Sequence, residues 1–439
     1  MKVKPPGAMM EHPDRPNCIR DSAVEIEVVL PGLIGEMALD HQRFSRTPGR
    51  ASGATRGEIM DFSLSEEHRI TQANIRKLCE RELEPIAGLI DREGRYPMDF
   101  HRALGREGYL GALIPPDFGG SGADLLTMYI VKEELCRVSA GVGMSVAICA
   151  LNFCNFLAKL GTEDQKRKYL PPVISGEKLA SYCLTEPNAG SDTMGLQTRA
   201  SRRGDRYVIN GSKTFITNGP LADFFIVVTR TSGQRGVRGG TNFILERGSP
   251  GLSSGPPFEK LGMRCSPTSE VFLEDVEAWP SQVLGTEDQG FIDMFNTLDA
   301  ERSLAAATAT GIAQACLDAS LKYARERVQF GRPIASFQHV QAMLVDMATS
   351  LELARTFAHK VVWLYEQGRN INRQAAMAKL FASQMAVRAG LDAVQIHGGY
   401  GYITEFPVER YLRDAKLCEI GGGTTEIQKN IVARELLKN

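Results

Sequence analysis

Two changes of hydrophobic pattern along the chain constrain its fold more than any other feature. From Ser65 to about residue 178 apolar residues recur at helical spacing, as in ITQANIRKLCERELEPIAGLI. Between about residues 180 and 283 the chain has short runs rich in Val, Ile, Phe and Thr, such as FFIVVTR and TNFILERG. From about Phe291 onward long Ala-rich helical stretches return. The order helix, strand, helix predicts an α+β fold.

The boundaries between these patterns define the predicted domains. We expect a disordered tail or a misassigned start at 1–59, an N-terminal helical domain at 60–179, a middle β domain at 180–284 and a C-terminal helical domain at 285–439. The first segment is rich in Pro, Gly and Arg and has no sustained period. Its acidic residues are unusual for a mitochondrial targeting segment. We therefore expect the folded protein to begin near Met60.

Two local signals refine this prediction. Ser65 is followed by Glu66 and Glu67, which is typical of a helix N-cap with acidic residues in the first turn. Asn210-Gly211, within RYVINGSKTFITNG, is the preferred dipeptide of a two-residue β-hairpin, so it predicts a turn between two strands.

Composition argues against several functional classes. The chain has 439 residues, 43% of them hydrophobic and 23% charged, as in an ordinary globular protein. Lys and Arg number 51 and Asp and Glu 52, so no overall basic field favours nucleic acid or a membrane. The nine cysteines form no CxxC pair, and the seven histidines show no spacing typical of metal ligands. We see no apolar run long enough to span a bilayer, and we expect the bacterial cytoplasm, or the mitochondrial matrix in a eukaryote.

Two glycine-containing stretches carry the strongest chemical signals. The first, YCLTEPNAGSDTMG, runs from Tyr182 to Gly195 and combines small residues, hydroxyls and exposed backbone, which suits close approach to a flat polar ligand and its phosphates. The second, QIHGGYGYITEFPVERYLRDAK, runs from Gln395 to Lys416. From the residues alone, the first is equally compatible with a surface turn and Gly398-Gly399 with a helix stop.

Taken together, these stretches resemble motifs of the acyl-CoA dehydrogenase family. The first matches the family pattern that ends in Gly-Ser-Asp, and the second matches Gln-x-x-Gly-Gly-x-Gly and continues through Arg410 and Asp414. FITNG, ERVQFG and GGTTEIQ also occur where the family has them, so the resemblance covers about residues 60–439. It implies an N-terminal helical domain, a middle β-barrel or sandwich and a C-terminal four-helix bundle.

The resemblance also implies the cofactor FAD, held between domains and between the subunits of a homotetramer. Along the flavin ring and ribityl chain it places Tyr182, Leu184, Thr185, Phe215 and Thr217. At the FAD of a neighbouring subunit it places Arg327, Gln329, Phe330, Gln338, Gln395 and Gly399, and at the closure of the site Thr424 and Glu426.

The implied reaction is α,β-dehydrogenation of an acyl-CoA thioester, with electrons passing to an electron-transfer flavoprotein. Ser191, Asp299 and Arg302 are the residues implied to contact CoA, and a planar guanidinium suits phosphate recognition. A solvated helix charge is the alternative interpretation of Arg302.

The general base is the point at which this sequence departs from much of the family. In EIGGGTTEIQ the usual glutamate position is occupied by Gly422, whereas LDAERS carries Glu301 where isovaleryl-CoA and long-chain members have their base. We therefore expect Glu301 to remove the α-proton and the backbone N–H of Gly422 to polarise the thioester carbonyl. The alternative for Glu301 is an exposed helix residue in an ion pair.

The adjacent glycine bears on the substrate. Gly421 stands where many straight-chain enzymes have tyrosine, so we expect it to border the substrate and to leave width for a branched or bulky acyl group. The helix GMSVAICALNF, residues 143–153, is expected to form the floor of the pocket. Alternatives are an acyl-CoA oxidase, an aromatic or dicarboxylic type such as benzylsuccinyl-CoA or glutaryl-CoA dehydrogenase, and a non-catalytic flavin-binding member.

Overall fold

The structure is a computed structural model that describes residues 63–233 and 236–438, with the backbone but not the side chains of residues 298–300. The predictions for the segment 1–59, for a start near Met60 and for the side chain of Asp299 therefore lie outside the described residues.

The N-terminal part is helical, as its periodicity predicts. The Ser65 side chain accepts a hydrogen bond from the backbone N–H of His68, which confirms the predicted N-cap. A π-helical segment, Ile148–Asn155, continues directly from one helix into the next. The α-helices of this part are α1 (Glu66–Leu78), α2 (Ala87–Glu93), α3 (Met98–Arg106), α4 (Leu125–Val138), α5 (Ala140–Ala147), α6 (Phe156–Leu160) and α7 (Glu163–Ile174).

One helical segment of this part departs from our expectation about apolar runs. Ala140–Leu160 is long and apolar enough to cross a membrane by length and composition, and 78% of its most apolar window is buried inside the structure. The expectation that no run reaches this length was therefore wrong. A helix that is apolar on all sides is covered either by protein or by lipid, and the burial of this segment is typical of a core helix.

The middle part forms one eight-stranded sheet. The strands are ordered β6-β7-β3-β2-β4-β5-β8, and β1 pairs in parallel with β4. Their apolar faces enclose a separate cluster that includes Ile209, Phe225 and Phe243. The strands are β1 (Ala180–Cys183), β2 (Arg199–Arg203), β3 (Arg206–Thr217), β4 (Phe224–Arg230), β5 (Gly240–Glu246), β6 (Leu252–Ser254), β7 (Thr268–Ala278) and β8 (Val283–Leu284).

The predicted hairpin turn at Asn210-Gly211 was wrong. Strand β3 runs through both residues, and its pairing with β7 shifts register between Ile209 and Gly211. A Cβ atom at Gly211 would lie 2.5 Å from Thr198 Oγ1, so glycine permits a close approach of strands there. Asn210 instead exchanges hydrogen bonds of 2.9 Å with Asp275 on β7. The dipeptide marks a bulge, which shares its sequence preference with a turn.

The C-terminal part is again helical and includes one very long helix. Helix α8 packs against α4, α9 and α10, so the two helical parts share one apolar core. Two short strands, β9 (Val328–Gln329) and β10 (Arg332–Pro333), form a ribbon after α8. The helices are α8 (Gly290–Glu326), α9 (Gln338–Glu366), α10 (Asn372–His397), α11 (Val408–Cys418) and α12 (Thr425–Leu436).

Helices α4 and α8 cross closely and run in the same direction. A Cβ atom at Gly311 would lie 2.4 Å from the Glu133 carbonyl oxygen, so a glycine is needed where the helices meet. The Tyr129 and Thr310 hydroxyls lie 3.0 Å apart, and further along Arg137 forms an ion pair of 2.7 Å with Asp318. This packing fixes the position of α8 relative to α4 from the middle of α8 onward.

Candidate active site

Glu301 lines a small cavity between the two helical parts and the sheet. The side chain is partly buried, and it accepts a hydrogen bond from the Asn152 side chain on the π-helical segment. Asn152 is on the predicted pocket floor, and π-helical turns are frequent at functional sites. The remaining residues that line the cavity are Leu151, Asn155, Phe156, Tyr182 and Thr297.

Burial sets the protonation behaviour of this carboxyl. Desolvation raises the pKa of Glu301 above its usual range, and the hydrogen bond from Asn152 and the charges of Lys132 and Arg302 oppose that rise. A general base works best with a pKa near the working pH, so a carboxyl in this environment suits proton abstraction better than an exposed one.

Strands β1 and β3 bring together the five residues predicted along the flavin ring. Ser181 Oγ donates a hydrogen bond of 2.8 Å to the Thr217 carbonyl oxygen, and the Thr214 N–H donates one of 2.9 Å to that of Thr185. These bonds align Tyr182, Leu184 and Thr185 with Phe215 and Thr217. Tyr182 also lines the cavity of Glu301, so this residue belongs both to the predicted flavin edge and to the cavity of the predicted base.

The loop that follows β1 is anchored by a buried ion pair. Lys213 Nζ lies 2.9 Å from Glu186 Oε1 and donates a hydrogen bond of 3.1 Å to the Leu184 carbonyl oxygen. The Glu186 carboxylate also accepts hydrogen bonds from the backbone N–H groups of Gln197 and Thr198. The Lys–Glu pair therefore holds both ends of the loop, and Ser191 lies exposed on it.

A second group of predicted residues meets at the end of α8. Arg327, Gln329 and Gly399 line a cleft of about 430 Å³, in which His397 stacks on Tyr323 with ring centroids 4.2 Å apart. Phe330 beside the cleft is 95% exposed. Gln338 and Gln395, the other two residues predicted for a neighbour's FAD, are exposed but do not line the cleft.

The three glycines form the turn between α11 and α12. Gly422 and Gly423 have φ values of +67° and +91°, a region that side chains other than glycine rarely adopt. The Gly423 carbonyl oxygen accepts a hydrogen bond of 2.7 Å from Lys379 Nζ, and Gln428 Nε2 donates to the carbonyls of both glycines. Among the described residues nothing accepts a hydrogen bond from the Gly422 N–H.

The residues at the end of this turn begin helix α12. Thr424 is the N-cap, and its side chain accepts a hydrogen bond of 3.3 Å from the Ile427 N–H, whereas Glu426 is exposed in the first turn. Arg302, predicted to contact CoA, is partly buried and its guanidinium lies 3.5 Å from the Asn372 side-chain oxygen. The described contacts do not bring Ser191 and Arg302 together.

Comparison with known proteins agrees with this architecture. Family models described as the N-terminal, middle and C-terminal domains of acyl-CoA dehydrogenase match residues 65–177, 181–276 and 288–437. A chain with this three-part fold and this arrangement of sites is a flavoprotein oxidoreductase of the dehydrogenase type. The chain belongs to the acyl-CoA dehydrogenase family, whose cofactor is FAD.

Several relatives are similar over nearly the whole described part. A protein of Bacillus subtilis named probable acyl-CoA dehydrogenase YngJ is 44% identical over 86% of this chain and 100% of its own length. The 3-(aryl)acrylate reductase of Clostridium sporogenes is 40% identical over 85% of this chain and 99% of its own. The mitochondrial isovaleryl-CoA dehydrogenase of rice is also 40% identical, over 83% of this chain and 90% of its own.

Solved structures are similar in fold as well as in sequence. Butyryl-CoA dehydrogenase of Megasphaera elsdenii has a TM-score of 0.84 at 39% identity and covers 86% of this chain and all of its own. A chain from the structure described as the electron transferring flavoprotein of Acidaminococcus fermentans has a TM-score of 0.85 at 39% identity over 87% of this chain and all of its own. An FAD complex of PigA has a TM-score of 0.83 at 31% identity, over 86% of this chain and 99% of its own.

The side chains of the candidate site fit a flavin. The buried Tyr182 hydroxyl has no hydrogen-bond partner among the described residues, so it is available to a bound group. Phe215 is 69% exposed and is held at a φ of +57°, a strained conformation that is typical of functional sites. A flat aromatic ligand that covers the Phe215 ring would remove its apolar surface from water, which is favourable.

Sequence reasoning missed several residues of the site. Lys379 and Gln428 hold the glycine turn, and Thr297 and Asn155 line the cavity of Glu301. A lysine or glutamine in an amphipathic helix gives no local signal of burial, so only the tertiary structure identifies them. Lys132, which acts on Glu301 through its charge, was missed for the same reason.

Proposed function

We propose that this enzyme removes the α-proton of a branched or bulky acyl-CoA thioester with Glu301 and forms the 2-enoyl-CoA. The observation that carries the proposal is one cavity in which the Glu301 carboxyl and Tyr182 lie together. Tyr182 is on β1, beside the part of β3 that carries Phe215 and Thr217, so a base and a hydride acceptor would meet at adjacent carbons of one substrate.

Glu301 acts on the proton and the surrounding residues prepare it. Its carboxylate oxygen accepts the proton from the α-carbon, while Asn152 orients the carboxylate through its hydrogen bond. Leu151 and Phe156 give the cavity an apolar wall that excludes water and raises the pKa of the base. Such general-base catalysis contributes about 10²- to 10⁴-fold in rate.

The glycine turn supplies the group that stabilises negative charge on the thioester oxygen. Lys379 donates a hydrogen bond to the Gly423 carbonyl oxygen, and Gln428 donates to those of Gly422 and Gly423, so the turn is held on its carbonyl side. Among the described residues the Gly422 N–H has no acceptor, so it can donate to a substrate. A backbone N–H placed at a developing oxyanion accelerates such reactions substantially. This role does not depend on the side chain at position 422.

FAD would be held by residues of the sheet and of the C-terminal helical part. When bound, it supplies the acceptor for the hydride that leaves the β-carbon. Phe215, Thr217 and Tyr182 would contact the flavin ring, since β1 and β3 place them side by side. Arg327, with Gln329 and Gly399 in the cleft of about 430 Å³, would hold the phosphate and adenine portion of a cofactor bound mainly by a neighbouring subunit.

A homotetramer follows from that shared site. Helix α9 exposes three large apolar side chains, Val345 (61%), Leu353 (59%) and Trp363 (54%), on one side. Exposed apolar residues grouped on one helix face are typical of a protein–protein interface. A partner helix on this face would bring the Arg327 cleft of one subunit towards the flavin of the next.

Gly421 supports the proposal that the acyl group is branched or bulky. The three atoms nearest to a Cβ atom there would all belong to Leu417, at 3.6 Å or more, so the glycine leaves room that a larger side chain would fill. The rice relative is named for the branched isovaleryl group. An electron-transfer flavoprotein is the proposed acceptor, in line with the Acidaminococcus neighbour.

The test is a panel of acyl-CoA thioesters mixed with the purified yellow protein without oxygen. We expect flavin bleaching with isovaleryl-CoA or a bulkier thioester to be at least about tenfold faster than with butyryl-CoA. Adding an electron-transfer flavoprotein should restore the yellow colour, whereas air should restore it slowly. Rapid reoxidation by oxygen with peroxide formation would identify an oxidase instead.

Two further outcomes would contradict the substrate assignment. Bleaching by glutaryl-CoA or an aryl-substituted acyl-CoA alone would assign a dicarboxylic or aromatic substrate. In the second outcome, an aryl-acrylyl thioester oxidises the reduced enzyme and no saturated thioester bleaches the flavin. This result would indicate that the enzyme works as a reductase, the activity for which the Clostridium relative is named.

A further inference from the structure

Two polar side chains that line the cavity of Glu301 have no hydrogen-bond partner in the part of the chain that the structure describes. The Tyr182 hydroxyl is buried and unpaired. The side-chain amide of Asn155, at the end of the π-helical segment, is half-buried and likewise forms no hydrogen bond there. Buried polar groups of proteins are nearly always paired, so each unpaired group requires an explanation.

The other polar residues of this cavity already have partners. Asn152 donates a hydrogen bond to the Glu301 carboxyl. The Thr297 hydroxyl donates one of 2.8 Å to a carbonyl oxygen of its own helix. Among the described residues that line the cavity, Asn155 and Tyr182 are therefore the two with hydrogen-bonding capacity left for a ligand.

A ring contact places these two side chains on adjoining walls of the cavity. Tyr182 on β1 packs edge-on against Phe156, with ring centroids 5.8 Å apart. Phe156 directly follows Asn155 in the chain, and all three residues line the cavity together with Glu301. A substrate with its α-carbon at Glu301 can therefore reach the amide and the hydroxyl with a later part of its acyl group.

The chemistry of the two groups selects the kind of substituent that they bind. The side-chain amide of Asn155 donates through its NH₂ group and accepts at its oxygen, and the Tyr182 hydroxyl does both. A carboxamide or a hydroxyl on the acyl group matches them, since each also donates and accepts. A hydrocarbon chain would leave both groups unpaired, which costs binding free energy.

The charge of the cavity argues against an ionised substituent. None of the described residues that line it is Lys, Arg or His, and Glu301 contributes a carboxyl. A carboxylate on the acyl group would be repelled by ionised Glu301 and would meet no cation in the lining. An ammonium would pair with Glu301 and lower its pKa, which would weaken it as a base. An uncharged polar substituent meets neither difficulty.

We propose that Asn155 is a specificity-determining residue that binds an uncharged hydrogen-bonding substituent of the acyl group beyond its β-carbon, with the Tyr182 hydroxyl as the second partner. The inference rests on the proposed function and deepens it, because Glu301 remains the base and the chemistry of the bulky group is now named. The competing explanation is a hydrocarbon acyl group with an ordered water bound to Asn155 and Tyr182.

The experiment uses three thioesters whose acyl groups have the same shape. The chain ends in a carboxamide in 4-carbamoylbutanoyl-CoA, in a carboxylate in glutaryl-CoA and in an isopropyl group in 5-methylhexanoyl-CoA. A series one carbon shorter is run in parallel. The Kd of each is measured by equilibrium titration of flavin-loaded Glu301→Gln enzyme, in which the chemical step is slow. Single-turnover flavin bleaching is measured at limiting thioester in enzyme that retains Glu301.

In the Glu301→Gln enzyme we expect the carboxamide thioester to bind at least about tenfold more tightly than the isopropyl one, in the chain length that fits. Asn155→Leu in this background keeps the size of the side chain and should abolish the preference, and Tyr182→Phe should reduce it. The matched control Asn74→Leu, at an exposed position of α1, should leave it unchanged. With Glu301 present, glutaryl-CoA should bleach the flavin at least about tenfold more slowly than the carboxamide.

The two measurements keep the inference separate from the proposed function. A carboxamide preference in Kd that disappears in Asn155→Leu supports the inference even when no thioester bleaches the flavin, and then only the proposed function fails. Fast bleaching by the isopropyl and carboxamide thioesters alike, with equal Kd values, supports the proposed function and refutes the inference.

Two results would overturn the proposal. Equal Kd values for the carboxamide and isopropyl thioesters at both chain lengths would indicate a hydrocarbon substrate and an ordered water. A carboxamide preference that survives in Asn155→Leu would show that Asn155 does not bind the substituent. The comparison among thioesters needs no substitution at Asn155, so it remains decisive if that variant does not fold.

Discussion

Moving the base from Glu301 to the glycine turn is the most demanding test of this active site. Glu301→Gln keeps the size of the side chain and removes the proton acceptor. Flavin reduction should slow by about a hundredfold or more while acyl-CoA still binds, because general-base catalysis is lost and packing is retained. Gly422→Glu in this background then restores a carboxylate at the position that straight-chain relatives use.

The structure sets the cost of the second substitution. A Cβ atom at Gly422 meets no other atom within 4 Å, so a side chain can be accommodated sterically. The φ value of +67° nevertheless costs a non-glycine residue about 1–2 kcal/mol. We expect the Tm to fall by a few degrees and the protein to remain folded. With the carboxylate restored, about tenfold of the lost rate should return.

The recovered rate should depend on the shape of the substrate. A glutamate at 422 occupies space next to Gly421, so butyryl-CoA should regain more rate than isovaleryl-CoA. The assay is single-turnover flavin bleaching with both thioesters, with Kd measured by equilibrium titration. Equal recovery for both would refute the view that the glycines leave width for the acyl group.

Two variants in the Glu301→Gln background serve as controls. Gly422→Gln has the same shape as Gly422→Glu but no base, so it should recover no rate. Gly423→Glu should also fail, because its Cβ atom would lie 2.7 Å from the Gln428 amide that holds the turn, at a φ of +91°. Wild-type bleaching by Glu301→Gln alone would refute the assignment of the base and the reasoning that depends on it.

Acid stability and assembly give two further predictions. Burial and the charge of Arg102 lower the pKa of His101 to about 4. Between about pH 6.5 and 4 the imidazole is therefore protonated in the unfolded state but not in the folded state. The free energy of unfolding should fall by about 3 kcal/mol as the pH decreases through this range. His101→Asn should flatten that part of the urea-unfolding stability curve, and the exposed His339→Asn should not; equal slopes would contradict the reasoning. Leu353→Glu on the exposed face of α9 should dissociate the tetramer in light scattering and lower flavin occupancy, whereas a wild-type monomer with full flavin would contradict the shared site.

Local sequence signals were enough for the order of elements but not for the pairing inside the sheet. The Ser65 cap and the long apolar periods correctly predicted helices, because these signals depend on residues within a few turns. Asn210-Gly211 misled because a bulge and a hairpin favour the same dipeptide. The choice between them depends on Thr198 and Asp275, which are distant in sequence.

The site was predictable only where a motif is shared with the family. Tyr182 and Glu301 are in separate domains, and nothing in periodicity or spacing indicates that they line one cavity. The resemblance supplied that pairing. Lys132 had no such support, since one lysine in an amphipathic helix normally predicts a solvated position, whereas the structure buries it.

The three glycines do not all have the same explanation. Gly422 and Gly423 are required by the left-handed backbone of the turn, whatever the substrate. Gly421 has no positive φ, and a Cβ atom there would meet Leu417 only at ordinary contact distances. Backbone geometry therefore does not demand a glycine at 421, and we attribute its small size to the acyl group that we propose lies beside it. The argument for a wide acyl group accordingly rests on Gly421, while Gly422 contributes a donor N–H that any residue other than proline would keep at that position.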